Sequence, residues 1–459
     1  MSALRQVQRH TDDYVIIDRG PLGTRCARLG CMPSKVLISA AKDFHRRHVL
    51  EREGIRGAER LAADIPAVMR HVRLMRDHFA GSMVEVIEGL AGDRLIRAKA
   101  EITARGRIRA ADREIEARTI IIATGSRPVV PGGWERFGDR ILTSDTIFEQ
   151  EDLPHRIAVI GLGPVGLELG QALSRLGIEI TAFSMKDKIA AITDPQVNAA
   201  AVEAFSGEFA VHTGAAVQVQ ESGDGLLVVH PRMEVAVDAA LVAVGSSPEL
   251  AGLGLENFDV QLNEAGLPQF DVHTGRVEGL DVFIAGDANG CCAILHEALD
   301  EGFIAGRNAS TADIKGFCRR TRLHIVFSDP QIAIVGMDRG QLHDNGDKFV
   351  VGRADFAGQS RAVLELHAGG LMHIYARAES GRLLGAELVC PDAEHLGHQL
   401  ALAMQNNMTV FDMLQMPFYH PTTEEALRTA LRDAARQLPA KVAPAELSLC
   451  DSAPEPPLS

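Results

Sequence analysis

No stretch of the 459-residue chain approaches the ~18 to 20 consecutive apolar residues that a membrane span needs, which excludes a transmembrane helix. The opening residues, MSALRQVQRHTDD, lack the apolar core of a signal peptide, so a cytoplasmic protein is expected. Positive charge is not in excess. Lysine plus arginine number 47 against 61 aspartates and glutamates, a net charge of -14, which argues against nucleic acid or an anionic membrane as the main partner. No second cysteine or histidine pair with zinc-like spacing accompanies Cys26 and Cys31, so no metal is expected. The chain also lacks low-complexity blocks, apart from a proline-rich end, PAKVAPAELSLCDSAPEPPLS, read as a disordered tail.

What is present is an alternation of short β-branched runs with helical patterns, the signature of parallel α/β architecture. Candidate buried strands are Tyr14–Asp18, Thr119–Ala123, Arg156–Ile160, Ile178–Phe183, Ala240–Val244 and Val282–Ala285. From about Leu323 the runs HIVFSDPQIAIVG, FVVGRADF and LMHIYARAESGRLLGAELV read as antiparallel strands, followed by helices over Asp392–Asn406 and Thr422–Gln437. That is an α+β domain of about 120 residues, a plausible size by itself.

Three motifs carry chemistry. The strongest is Cys26-Ala-Arg-Leu-Gly-Cys31-Met-Pro-Ser-Lys35, two cysteines separated by four residues and followed by an apolar-striped helix. Pro33 suits a first helical turn, where its missing N–H has no partner to lose. Cys31 therefore stands at or just before a helix N-terminus. The helix dipole, with Lys35 one turn on, favours a thiolate there, the nucleophile of disulfide exchange. Two buried structural cysteines, or half of a zinc site, are the plainer alternatives. The second motif is Gly161-Leu-Gly163-Pro-Val-Gly166-Leu-Glu168-Leu-Gly170 between strand RIAVI and a helix, the context of a dinucleotide fingerprint. The following strand ends at Ser184, where an acidic residue would read an NAD ribose. Instead Ser184-Met-Lys186-Asp-Lys188 offers a neutral residue and two lysines that suit a 2′-phosphate, so NADP(H) is favoured, with solvated surface lysines as the alternative. The third is His420-Pro421-Thr422-Thr423-Glu424-Glu425, proline at a helix start with a carboxylate to orient a general acid/base histidine.

Together these residues resemble the class I pyridine nucleotide–disulfide oxidoreductases, the family of dihydrolipoamide dehydrogenase, glutathione reductase and mercuric reductase. The likeness runs from Tyr14 to Gln437. Thr124-Gly125-Ser126-Arg127-Pro128 and Gly245-Ser246-Ser247-Pro248 resemble the crossovers out of the flavin and nicotinamide domains. Ala285-Gly286-Asp287 resembles the second FAD motif, and Leu295-His296 the helix start facing the flavin. The implied fold is two Rossmann-like domains for FAD and NAD(P) plus a C-terminal α+β dimerisation domain. Its expected boundaries are 1–145 and 273–318 for the FAD domain, 146–272 for the NAD(P) domain, 319–438 for dimerisation and 439–459 for the tail.

The resemblance implies roles residue by residue. Cys26 exchanges with substrate and Cys31 faces the flavin. Lys35 and Glu168 pair near it, and His420 with Glu425 serves the partner subunit of a homodimer. Asp18, Gly23, Thr24, Lys35, Thr124, Gly125, Ser126, Asp287, Leu295 and His296 are expected to line FAD. Gly161, Gly163, Gly166, Glu168, Ser184, Lys186 and Gly245 are expected to line NAD(P). The substrate is a lipoyl or other small disulfide or dithiol. Mercuric reductases carry a vicinal cysteine pair near the C-terminus, whereas here the tail has only Cys450. The pair Cys291-Cys292 is read as structural or incidental.

One departure matters. The family opens with strand, glycine-rich turn, helix and second strand before its cysteine motif, a unit of ~30 residues. Here only Tyr14–Asp18 precedes Cys26 closely, and it aligns with the second strand, making Asp18 the ribose ligand. The alternative takes Tyr14–Asp18 as the first strand, with Gly20 and Gly23 as a degenerate turn. Either way one βα unit is missing. A central strand buried on both faces and a phosphate-facing helix start are lost, so weak or absent FAD binding is expected unless Met1–Asp13 or another chain fills the gap. Three readings follow: an active flavoenzyme that compensates, a catalytically silent relative, or a non-enzymatic NAD(P)-binding dimer scaffold.

Overall fold

The computed structural model describes residues 1–439, so the expected tail, with Cys450, lies outside the described residues but for Pro439. Two compact units emerge. One comprises Met1–Ala40, Ala63–Pro154 and Ala239–Arg319; the other comprises Ala41–Ala62, His155–Asp238 and the chain from Arg320. Among the described residues no helix is long and apolar enough to cross a membrane.

In the first unit the parallel strands are short and nearly all aliphatic. Ile16–Ile17 pairs with Leu95–Ile96, and Ile120–Ile122 pairs with Val282–Ile284. These are separate two-stranded sheets. Ile17, Ile120 and Ile122 nevertheless share one core with Ile102, Val282 and Ile284. Parallel sheets ordinarily occur as larger buried assemblies, whereas here no third strand joins the two pairs among the described residues. Met1–Asp13 does not provide it. Ser2–Val7 is a helix, and it lies so close to helix Leu295–Ser310 that a Cβ at Gly306 would fall 2.4 Å from the Ala3 carbonyl oxygen. The strand expected over Tyr14–Asp18 shortens to Ile16–Ile17. Two elements of this unit escaped the sequence reading. One is helix Ile65–Ala91, capped by the Asp64 carboxylate accepting the Ala67 N–H at 3.0 Å. The other is an antiparallel meander, Ala100–Ala104, Arg107–Ala110 and Arg113–Glu116.

The second unit holds parallel strands Arg156–Ile160, Glu179–Ser184 and Ala210–Thr213, with Glu179–Ser184 in the middle. An antiparallel meander over 218–237 accompanies them. Its C-terminal part is a five-stranded antiparallel sheet in the order Leu323–Val326, Gln331–Gly336, Leu383–Cys390, Leu371–Arg377, Phe349–Asp355. Every residue of Leu383–Cys390 is buried. Helix Ala393–Gln405 falls within a residue of expectation, flanked by Asp392 and Asn406 as its caps. The last helix is Glu424–Gln437, with Thr423 at its N-cap.

A buried polar cluster joins Asp194 to the sheet strands. One oxygen of Asp194 accepts the Gln196 and Val197 N–H groups and so caps helix Pro195–Ser206. The other lies 2.8 Å from His373 Nδ1 and accepts from Arg339 at 2.8 Å. A carboxylate only accepts, so His373 Nδ1 carries a hydrogen. Tyr375 donates to Glu387, whose carboxylate also takes the Asp194 and Arg339 N–H groups. Burial pushes the Asp194 carboxyl up, but hydrogen bonds from His373 and Arg339 overcome it and leave it below the usual carboxylate range. A depressed folded pKa means stability that is present above the ordinary carboxylate value of ~3.9 and is lost as pH falls through the folded value. Asp194→Ala uncaps a helix and leaves Arg339 and His373 without their shared acceptor. We expect it to cost about 3–5 kcal/mol at neutral pH and to flatten the acid limb of the stability curve. Thermal melts of both proteins from neutral to acid pH check this, and parallel curves would exclude the cluster as a source of acid sensitivity.

Candidate redox and nucleotide sites

Local chain geometry brings the cysteines together. Gly23 has φ +108°, a conformation that suits glycine, and Thr24 then caps a short helix, Arg25–Leu29, by accepting the Ala27 N–H at 3.2 Å. Gly30 breaks that helix, and Cys31 is the first residue of helix Cys31–His45. The turn leaves the Cys26 and Cys31 Cα atoms 4.7 Å apart, and the two residues form a disulfide. Pro33 sits in the first turn, as expected, and Ser34 Oγ donates to the Cys31 carbonyl at 3.0 Å. Cys31 is exposed while Cys26 and Lys35 are half-buried.

Arg25, which the sequence did not single out, anchors this turn. Its guanidinium pairs with the Asp145 carboxylate and donates to the Ser126 carbonyl at 3.0 Å and the Ser144 hydroxyl at 3.3 Å. Ser126 in turn donates through Oγ to Asp287 at 3.1 Å. Ser126–Pro128 pairs antiparallel with Ser246–Pro248, flanked by the Val129 N–H to Gly245 carbonyl and Glu249 N–H to Gly125 carbonyl hydrogen bonds. Thus the two crossover motifs and the Asp287 motif, far apart in sequence, meet in one place. Asp18 lies at the end of strand Ile16–Ile17, its carboxylate accepting the Gly20 N–H at 2.7 Å. Thr124 and Leu295 are exposed, and His296 is half-buried at the start of its helix.

Asp18, Thr24, Ser126 and Asp287 are polar groups of the kind that hold a ribose and polyol chain. The pyrophosphate is a different matter. Among the described residues, the link from Ile16–Ile17 to helix Arg25–Leu29 carries Gly20 and Gly23, both at positive φ, but not the Gly-x-Gly-x-x-Gly spacing, and the helix that precedes the strand, Ser2–Val7, has six residues. The ribose and polyol side of an FAD site is thus framed by residues of this chain.

The nucleotide motif of the second unit is complete. Strand Arg156–Ile160 leads through Gly161, at φ +101°, to helix Pro164–Arg175, with Gly163 at its N-cap. A Cβ on Gly166 would fall 1.9 Å from the Gly161 carbonyl oxygen, so only glycine allows this turn. The open N–H groups of that helix start favour a phosphate. Ser184 ends the next strand, buried, with its hydroxyl directed to the Lys186 and Lys188 carbonyls. Lys186 is exposed, and Asp187 is engaged by the Thr213 hydroxyl at 3.2 Å. Glu168, buried on the same helix, accepts the Phe327 N–H at 2.9 Å.

His420 and Glu425 form the expected dyad, Nδ1 lying 3.0 Å from Oε2. Hydrogen bonding from His420 holds the Glu425 carboxyl below its usual range. The histidine is exposed. One detail is corrected: Pro421 lies in the turn before the helix, not in its first turn, because the helix begins at Glu424. Among the described residues, no group of three or more histidines, cysteines and carboxylates is placed to hold a metal.

Comparison with known proteins agrees with this arrangement. Residues 1–302 match the pyridine nucleotide-disulphide oxidoreductase family, and residues 323–431 match its dimerisation domain. Dihydrolipoyl dehydrogenase of Thermus scotoductus is 31% identical over 438 residues, covering 92% of each chain. Dihydrolipoyl dehydrogenase 2 of Haloarcula marismortui is 29% identical, covering 91% of this chain and 90% of its own. The crystal structure of LpdA from Mycobacterium tuberculosis superposes with a TM-score of 0.82 at 25% identity, over 94% of this chain and 96% of that one. The chain belongs to the pyridine nucleotide-disulphide oxidoreductase family, as a dihydrolipoyl dehydrogenase-like flavin disulfide oxidoreductase whose redox disulfide is Cys26–Cys31.

Proposed function

We propose that this chain carries electrons between a dithiol of the lipoyl class and NADP(H), working as a homodimer in the cytoplasm. The observation that carries the reading is the Cys26–Cys31 disulfide seated on a helix start. A substrate thiol attacks Cys26 as the Cys26–Cys31 bond breaks, and Cys31 leaves as a thiolate favoured by the helix dipole. The second substrate thiol closes the substrate disulfide and releases Cys26. The substrate loses two electrons and two protons; the cysteine pair gains both electrons, Cys26 takes one proton as it is released as a thiol, and His420 holds the other. His420, oriented by Glu425, accepts the proton of the attacking thiol, and its exposure suits service to the partner subunit's disulfide.

When bound, FAD would supply two-electron transfer between the cysteines and the nicotinamide. Asp18, Thr24, Ser126 and Asp287 would hold its ribose and polyol end. Glu168 and Lys35 are proposed to orient its reactive edge, with Gly23, Thr124, Gly125, Leu295 and His296 lining it. The gap between Ile16–Ile17 and Ile120–Ile122, however, needs a further strand, turn and helix start, from outside the described residues, before the pyrophosphate is secured. Gly161, Gly163, Gly166 and Gly245 line the dinucleotide, while Ser184 and Lys186 favour the 2′-phosphate of NADP(H). The matches over residues 1–302 and 323–431 support FAD, NAD(P) and dimerisation at family level.

Three outcomes test this reading. The full chain incubated with FAD and freed of excess is expected to be colourless, and to turn yellow only with an added strand–turn–helix peptide. Yellow protein without the peptide would mean that the chain closes the gap itself. In the reduced, flavin-free chain, iodoacetamide should modify exposed Cys31 before half-buried Cys26, by peptide mapping; bound flavin should reverse the order. Lys186→Glu should weaken NADPH binding at least tenfold, about 1.4 kcal/mol, and leave NADH nearly unchanged in fluorescence titration. Equal losses for both would remove Lys186 from 2′-phosphate recognition.

A further inference from the structure

The pair Cys291-Cys292 lies outside the redox disulfide and outside every role described above. We infer that it is a second, non-catalytic dithiol site whose ligand is a trivalent arsenical. Several observations carry this. The Cα atoms of consecutive residues are about 3.8 Å apart, closer than those across most disulfides, so side-chain rotation can bring both sulfurs onto one central atom once Cys291 Sγ leaves the Asn289 carbonyl that it faces at 3.8 Å. Residues 291–294 are not a strand, so no pleat forces the two side chains to opposite faces. Cys291 is exposed and Cys292 half-buried, so a small reagent has access.

The turn that carries them is tied down by hydrogen bonds. The Cys291 N–H donates to Asn289 Oδ1 at 2.8 Å, and Asn289 Nδ2 donates to Glu301 at 2.7 Å. The same Glu301 oxygen accepts the Gly286 N–H at 2.8 Å, and Arg319 holds the other oxygen at 2.6 Å. The Ile294 N–H closes the far side on the Cys292 carbonyl at 2.9 Å. A dithiol held this way loses little freedom on chelation. Burial and the Glu301 carboxylate push the Cys291 thiol up, against Arg319, so it persists as a thiol at neutral pH, where thiolates oxidise first. The chemistry is a condensation without redox change. Each thiol gives a proton to the arsenical oxygen, two As–S bonds replace the As=O bond, and one water leaves. Cys318 is a lone exposed thiol and chelates nothing by itself.

The test uses the full chain with Cys26–Cys31 closed, phenylarsine oxide as probe and intact-mass spectrometry as readout. One arsenical per chain is expected, and two after the disulfide is reduced. Cys291→Ser and Cys292→Ser should each abolish the first addition; Cys291→Ala, with circular dichroism to verify folding, guards against a serine-specific artefact. Cys318→Ser and the double variant Cys26→Ser/Cys31→Ser should retain it. Uptake only after reduction, or uptake that survives Cys291→Ser, would overturn the inference. None of these readouts requires flavin, so they stand apart from the redox activity.

Discussion

A parallel strand buried on both faces must hydrogen-bond along both edges, because no water reaches its backbone. In the first unit that constraint governs everything else. The strands Ile16–Ile17 and Ile120–Ile122 contribute to one apolar core yet belong to different two-stranded sheets. The helix Ser2–Val7 packs on glycines 302 and 306, covering helix Leu295–Ser310 without supplying a strand. The polar groups that would face a flavin are assembled on the loops following these strands.

Charge buried away from water is handled by dense pairing. Asp194 and Glu387 sit among Arg339, His373 and Tyr375, and Glu301 sits between Arg319 and the turn bearing Asp287. Arg175 is shared between Glu208 and Asp329. Such groups contribute less to net stability than to uniqueness of arrangement, since removing one partner strands the others. By contrast His420 stays exposed and its partner Glu425 half-buried, outside any such cluster.

Much of the nucleotide-binding architecture was readable because its requirements are local. Glycine at 161 and 166 follows from backbone approach, and the strand Arg156–Ile160 and helix start at Pro164 follow from pattern and turn chemistry. The five antiparallel strands near the C-terminus were likewise marked by β-branched runs and turns. The helix Ile65–Ala91 and the two meanders escaped notice, since their alternation is weak and their charged faces resemble loop. Arg25 had no local signal, since it acts through partners more than a hundred residues away; Asp194 with Pro195 carried an N-cap signal, but its buried partners Arg339 and His373 are equally remote.

The sequence by itself determined the disulfide helix, the dinucleotide turn and the histidine–glutamate pair, because residue type, spacing and backbone sterics act over a few positions. Only the tertiary structure decided that residues 2–7 are a helix rather than a replacement strand. Only it decided that Ser126 and Asp287 meet, that Arg25 holds the cysteine turn, and that two carboxylates are buried around Tyr375. Those outcomes depend on which distant groups share a desolvated space, and that is settled by packing, not by any local pattern.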